Sequence, residues 1–346
     1  MLESVCQPEK DGWNDARLLS AAGFACSQLN RWDSARTFYQ RWVEVEPDRA
    51  QPFYCLGYVF YQKGRWEEAL EWFEQALHIF PEYLVCLYRA AYAAYQWDKA
   101  RQSLKYLERA ETAYRSLQDE TLIKRQRKTY YRCLFLLGKC HYRIRKYEQA
   151  LEYFRQAWRQ PKPYLQKSAI FYQAGKALAR LNRFPEALQA LNSALDASHP
   201  QHFVLDRIGR VHLAEGKPEA ALNWFNKALK IRRFPFIYVN RADAYLRLGR
   251  TAEAVQDLHF ALKRDTKGKH KIYLKLAEIS MKTGRGVEAR HYLQRAIQFK
   301  RKVYGVDYAE AHYRLSLYYR ETGEKEKAKS ELQQAMNLDP SLEWRF

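Results

Sequence analysis

The chain has 346 residues, with 59 Lys and Arg against 39 Asp and Glu, giving a net charge of +20. Hydrophobic residues make up 47%, which excludes an intrinsically disordered chain, and no stretch has the apolar length needed to cross a bilayer. The charge draws acidic partners (protein, nucleic acid, anionic glycan or membrane surface) without choosing among them.

Residues 1–15 form a lead-in with no apolar run after a basic start, so they do not read as a signal peptide. The six cysteines, Cys6, Cys26, Cys55, Cys86, Cys133 and Cys140, form no C-x-x-C pair. All but Cys6 fall on predicted helices, where small thiols are ordinary core residues, and the reducing cytosol is the expected compartment. Cys133 and Cys140 lie seven apart on one helical face, but no further ligands are evident for a metal. Neither metal nor cofactor is expected.

The pattern is clearest in residues 50–83, AQPFYCLGYVFYQKGRWEEALEWFEQALHIFPEY. With Ala50 as position 1, Phe53, Leu56, Gly57 and Phe60 step at helical spacing, as do Ala69, Phe73, Ala76 and Leu77. Gly64 between the two sets marks a left-handed helix end, and Pro81 closes the second helix. Gly57, Ala69 and Ala76 let two antiparallel helices approach closely.

The same frame recurs along the chain. Residues 16–49 carry Gly23, Trp32, Ala35, Tyr39 and Pro47. Residues 84–130 begin with Leu87, Ala90, Ala91 and Ala94, lack the glycine turn, and end in an insertion, AYRSLQDETLIKRQRKTY. This insertion is expected to extend the unit's second helix as far as the solvated cluster Lys124, Arg125, Arg127 and Lys128. Residues 131–164 recover the pattern with Gly138, Ala150, Phe154 and Ala157, and Pro161 and Pro163 then predict a stiff break. Residues 168–201 show Gly175, Ala187, Leu191 and Ala194, and residues 202–234 show Gly209, Gly216, Ala221 and Phe225. Residues 235–268 have Ala242, Gly249, Ala254 and Leu258, and residues 270–303 have Ala277, Gly284, Ala289 and Leu293. A short spacer, KRKVYGVDYAE, precedes residues 309–342, with Leu315, Tyr319, Gly323, Ala328 and Ala335. Residues 343–346 remain as a tail.

Nine such frames resemble the tetratricopeptide repeat almost position for position, a repeat with a period of 34. A single hairpin cannot bury its apolar face, so the frames must stack. The resemblance implies one all-α array from 16 to 342, a right-handed solenoid with first helices lining a concave groove. The family usually adds a polar capping helix, and only SLEWRF remains here; either Lys325, Lys327 and Lys329 solvate that end, or the chain was cut there, or a partner covers it.

In this family, positions 2, 5, 9, 12 and 13 of each unit face the groove. Carried over residue by residue, they give Phe24, then two ladders of tyrosine, Tyr54, Tyr58 and Tyr61 followed by Tyr88, Tyr92 and Tyr95. The middle units give Arg132, Phe135, Lys139, Tyr142, Arg143, Tyr172, Lys176, Arg180 and Arg210. Acids enter only from Asp206, with Asp243, Glu278, Glu310 and Glu321. The groove is thus expected to run from aromatic through basic to mixed. Tyrosine at helical spacing can be packing alone, but the packing positions are already filled by other residues. Some family members clamp a carboxylate tail with lysine at position 5 and asparagine at position 9 of the first unit. Ser20 and Phe24 stand there instead, so that clamp is absent.

No phosphate-binding, zinc-protease or nucleophile-elbow motif occurs, and His141 and His212 fall at a packing position. An enzyme is not expected. Two readings of the groove stay open. One is an interaction scaffold for an extended, acidic segment of a partner protein. The other is a site for an anionic polymer, single-stranded RNA or acidic polysaccharide. Basic residues also lie outside the groove, at Lys263, Arg264, Lys267, Lys269, Lys271, Lys300, Arg301 and Lys302.

Overall fold

The computed structural model describes residues 11–159, 166–195 and 201–345. Cys6 and the break expected at Pro161 and Pro163 lie outside the described residues. Among those described, eighteen α-helices form nine antiparallel hairpins, and no strand occurs. The first five hairpins are α1 (Ala16–Gln28) with α2 (Trp32–Val45), α3 (Ala50–Gln62) with α4 (Trp66–Ile79), α5 (Leu84–Gln96) with α6 (Ala100–Arg115), α7 (Glu120–Arg143) with α8 (Tyr147–Trp158), and α9 (Lys167–Arg180) with α10 (Phe184–Ala194). The last four are α11 (His202–Ala214) with α12 (Pro218–Ile231), α13 (Pro235–Arg247) with α14 (Thr251–Arg264), α15 (Lys269–Lys282) with α16 (Gly286–Tyr304), and α17 (Ala309–Glu321) with α18 (Lys325–Leu338).

The chain divides into two compact units, Met1–Ala194 and Leu195–Phe346. The first has one continuous core, from Leu19 to Ile170. In the second the buried apolar residues fall into separate groups around Phe225, Leu293 and Tyr313.

Each hairpin turns at position 15, and all nine residues there are left-handed: Asn30, Gly64, Asp98, Arg145, Asn182, Gly216, Gly249, Gly284 and Gly323. The next amide reaches back to the carbonyl of position 11, as from Arg31 to Cys26 at 2.9 Å and from Lys99 to Ala94 at 2.9 Å. This hydrogen bond closes the helix end and reverses the chain. The third unit therefore has its turn without glycine. Asp98 supplies it, because short polar side chains tolerate the left-handed region.

Position 8 of the first helix meets position 24 of the second. A methyl group added at Gly138 would lie 2.4 Å from the Phe154 ring, and one at Gly57 would lie 2.7 Å from Phe73. Where position 8 carries a side chain, position 24 shrinks: Ala91 faces Leu107, Ala242 faces Leu258 and Ala277 faces Leu293. These are all buried. In the third unit Ser103 takes the place of a small apolar residue, and its hydroxyl donates to the Ala91 carbonyl at 2.7 Å.

Three boundaries differ from expectation. The insertion does not prolong α6, which ends at Arg115; instead it opens α7. Asp119 caps that helix by accepting from the amides of Thr121 at 2.6 Å and Leu122 at 3.3 Å, so the cluster Lys124–Lys128 belongs to the fourth hairpin. The spacer after the eighth unit is largely helix too, since α16 runs on to Tyr304 and stops at left-handed Gly305. Finally, a 3₁₀ turn, Pro340–Arg345, joins the end of the last unit to the tail, and its Leu342 packs with Tyr313 and Ala335. At the other end Trp13 of the lead-in meets Phe38 edge-on at 6.2 Å.

In the last hairpin, buried His312 lies between Glu331 at 2.5 Å and Asp307 at 2.9 Å. Burial opposes its protonation. The hydrogen bonds and charges of the two carboxylates outweigh burial and raise its pKa above the ordinary 6.5. Two acceptors require the doubly protonated ring.

Two predictions follow from these contacts. Gly138→Ala lowers the thermal midpoint, an overpacking loss of about 1–3 kcal/mol, whereas Gly138→Ala with Phe154→Leu recovers most of it, matching Ala91 with Leu107. Losses that simply add would refute the contact. His312, with its pKa raised on folding, contributes stability that is complete below its unfolded value and lost as the pH rises through the folded value. The thermal midpoint should therefore fall as the pH rises above the ordinary histidine value of about 6.5, and the fall should be smaller in His312→Gln.

Candidate binding groove

Residues 54, 58 and 61 step by four and three and share one face of α3. Tyr54 and Tyr58 have ring centroids 6.3 Å apart, inclined at 22°, and Tyr58 and Tyr61 are 5.8 Å apart at 14°. Tyr54 also rests on Phe73 at 5.8 Å and Tyr83 at 5.3 Å. On α5, Tyr88 and Tyr92 lie 6.3 Å apart, and Tyr61 bridges to Tyr92 at 5.8 Å. The two rows are half-buried and touch each other. Burial pushes the Tyr54 and Tyr88 phenols up to about 12, and it raises Tyr61 and Tyr95 as well. All four remain protonated at neutral pH.

Cations sit over these rings. The Arg89 guanidinium lies 5.0 Å from the Tyr58 centroid, 5.1 Å from Tyr61 and 5.8 Å from Tyr88, and it donates to the Tyr61 hydroxyl at 3.3 Å. One hairpin on, Lys139 Nζ is 4.4 Å from Tyr95 and 5.9 Å from Tyr92. Arg143 covers Tyr95 at 3.8 Å, donates to its carbonyl at 2.5 Å and pairs with Asp98 at 3.1 Å. Next, Lys176 lies 4.6 Å from Tyr142 and 5.7 Å from Tyr172 and donates to Gln173 at 2.9 Å. Thus Arg89, Lys139 and Lys176 each reach back to a tyrosine of the preceding hairpin.

Arg89 and Lys139 are half-buried, and among the described residues neither has a carboxylate partner. Arg89 Nε is buried without a hydrogen bond. Burial, reinforced by the charge of Arg143 and opposed by Cys140, pulls the Lys139 ammonium below its ordinary value.

Of the remaining expected groove residues, Phe135 packs on Phe154 at 5.8 Å and Tyr142 on Tyr147 at 5.4 Å. Arg132 is half-buried on α7, and Arg180 is exposed at the end of α9. Phe24, 60% exposed on α1, stands apart from the stacked rings. Arg210 lies on α11 of the second unit, outside this cluster. Arg89, at position 6, is absent from the expected set. Its signal in the sequence is that it is the one charged residue among the 13 of α5.

The second unit treats the same positions differently. Buried Asp206 accepts from Asn240 at 2.7 Å, and Asp243 pairs with Lys275 at 2.5 Å. Arg314 pairs with Glu310 at 2.9 Å and Glu278 at 3.6 Å. Asn240, Lys275 and Arg314 all stand at position 6, as Arg89 does. Here they meet acids of the preceding hairpin; Arg89 meets tyrosines.

His141 stacks on Tyr153 at 5.2 Å, and half-buried His212 lies 3.5 Å from Glu215. Cys26, Cys86, Cys133 and Cys140 are buried, and burial pushes the Cys140 thiol up to about 11. Among the described residues no group of three or more His, Cys, Asp or Glu could hold a metal, and no helix is long and apolar enough to cross a membrane.

Several tetratricopeptide-repeat models match the chain, over residues 50–83, 135–202, 172–236, 235–256 and 268–341. No curated protein matches it. A tetratricopeptide repeat protein from Parabacteroides merdae is similar in structure, with a TM-score of 0.58, 15% identity, and 77% of this chain and 98% of that one covered. Pseudomonas aeruginosa PilF (TM-score 0.49, 16% identity, 63% and 91% covered) and yeast Tom70 (0.47, 14%, 94% and 77%) are more distant. With nine left-handed turns in register and family models over most of its length, the chain belongs to the tetratricopeptide repeat family.

Proposed function

We propose that the protein is a non-catalytic interaction scaffold whose first unit holds an extended, acidic segment of a partner protein. Stacked helical hairpins of this family support protein–protein interaction, and a fold alone does not select the partner. The observation that carries the choice is the pair of half-buried cations, Arg89 and Lys139, held by rings and by no carboxylate. A charge removed from water without a counter-charge is unfavourable, and an acidic side chain laid over α5 and α7 would supply that counter-charge. From Lys124 to Arg183 the sequence holds sixteen Lys and Arg against two acids, Glu148 and Glu152, so a ligand over α7 and α9 meets little repulsion.

The tyrosines support a peptide over an anionic polymer. Base stacking needs open ring faces, and here the rings lean on each other and on Arg89, Lys139 and Arg143. Their edges and hydroxyls suit backbone amides and apolar side chains at little entropic cost.

The test is binding of a fluorescein-labelled polyglutamate peptide to the full chain. Lys139→Ala and Arg89→Met are each expected to weaken it about tenfold; affinity unchanged in both sinks the assignment. Arg89→Met also separates function from folding. Because its Nε is buried and unpaired, its replacement by an apolar side chain of similar length is expected to leave the thermal midpoint level or higher. A fall of several degrees would instead make Arg89 a structural residue.

A further inference from the structure

A second cationic cleft lies in the other unit, built from the second helices of two hairpins and the first helix between them. It measures about 870 Å³ and is lined by residues of α12, α13 and α14 and by Arg233 of the α12–α13 connection, with no carboxylate among them. Its floor is Tyr238, which is buried, and Phe260, which rests on Tyr238 with centroids 5.7 Å apart at 25° and stays 39% exposed. Arg241 fixes one wall. It donates from Nε and Nη2 to the two oxygens of buried Asp257, both at 2.7 Å, and from Nη1 to the Asn226 side-chain oxygen at 2.6 Å. That fork consumes the nearby acid and orders the amide.

Around this wall stand Lys230, Arg233 and Arg264, all exposed. Among the described residues none of the three pairs with an acid, unlike the position-6 cations Lys275 and Arg314 of the same unit. Three uncommitted cations, a partly open ring and the amides of Asn223 and Asn226 converge on one concavity. The combination fits a chain of phosphates carrying flat rings: guanidinium and ammonium groups take phosphate oxygens, Phe260 offers a face for stacking, and amides match base edges. A phosphorylated peptide would use the cations but leave the ring and amides idle.

We infer that this cleft binds single-stranded nucleic acid, with phosphates on Lys230, Arg233 and Arg264 and a base against Phe260. The site is separate from the tyrosine groove and does not depend on it.

The probe is a fluorescein-labelled oligouridylate titrated with the full chain at several salt concentrations. Binding is expected to weaken as salt rises. Replacing Lys230, Arg233 and Arg264 together by alanine should weaken it at least about tenfold, and should flatten the dependence of log K on log salt by about two, for three lost contacts at ~0.7 each. Phe260→Ala should cost about fivefold or more and Phe260→Tyr should restore it, while Lys139→Ala in the groove should change nothing. All four replaced residues of the cleft are partly or fully exposed, and far-UV circular dichroism checks that the variants fold. No binding at low salt overturns the inference, as does binding that survives the triple replacement or that falls with Lys139→Ala. If inorganic tripolyphosphate or a phosphopeptide competes equally and Phe260→Ala is silent, the cleft recognises phosphate alone, and the nucleic-acid assignment is wrong.

Discussion

The contact between positions 8 and 24 governs everything else in this chain. It sets how closely the two helices of a hairpin approach, and interiors packed to crystal density leave no slack in that distance. In most hairpins the pair trades volume: Gly57 with Phe73 and Gly138 with Phe154, but Ala91 with Leu107 and Ala277 with Leu293, while the fifth sets Gly175 against Leu191. Once position 8 is locked inward with positions 4 and 11, positions 5, 9 and 12 are one residue further round the helix, a rotation of about 100°. The tyrosine rows are therefore a consequence of the packing, placed on their face by the residues that precede them.

That dependence explains what was legible from the residues. Period, hairpins and the inward positions follow from small residues at fixed spacing, which a sequence displays directly. The turn at position 15 was less visible, because the left-handed conformation belongs to the site and can be filled by Asp98 or even Arg145 as well as by glycine. The helix start within the insertion is concealed for a related reason. Continuous helical propensity through Arg115 to Tyr130 hides the stop, and only the capping carboxylate of Asp119, followed by Glu120, marks a new start. Its effect is to make α7 a helix of 24 residues, which carries the basic cluster on the hairpin that also carries Lys139.

The groove was legible in composition and not in pairing. Reading positions 5, 9 and 12 finds the tyrosines and lysines, but nothing in a count of cations and acids says which of them meet. What a cation meets on the preceding hairpin decides this, as at position 6. With Asp243 there, Lys275 is neutralised; with Tyr58 and Tyr61 there, Arg89 is not. A net charge of +20 is compatible with either arrangement.

Holding a cation with rings has a physical consequence that holding it with a carboxylate lacks. The ring quadrupole attracts the charge, by about 0.5–1 kcal/mol at exposed sites and more when desolvated, yet adds no net charge of its own. The field of Arg89 or Lys139 therefore still reaches an approaching anion, whereas the field of Lys275 is cancelled by Asp243. The rings have also stripped part of the water from the cation beforehand, so an anion brought to it would displace less solvent and meet a side chain already ordered. Tyrosine at positions 9 and 12 thus does two things at once. It closes the surface over the packed hairpin, and it keeps a positive charge poised, half-desolvated and unspent.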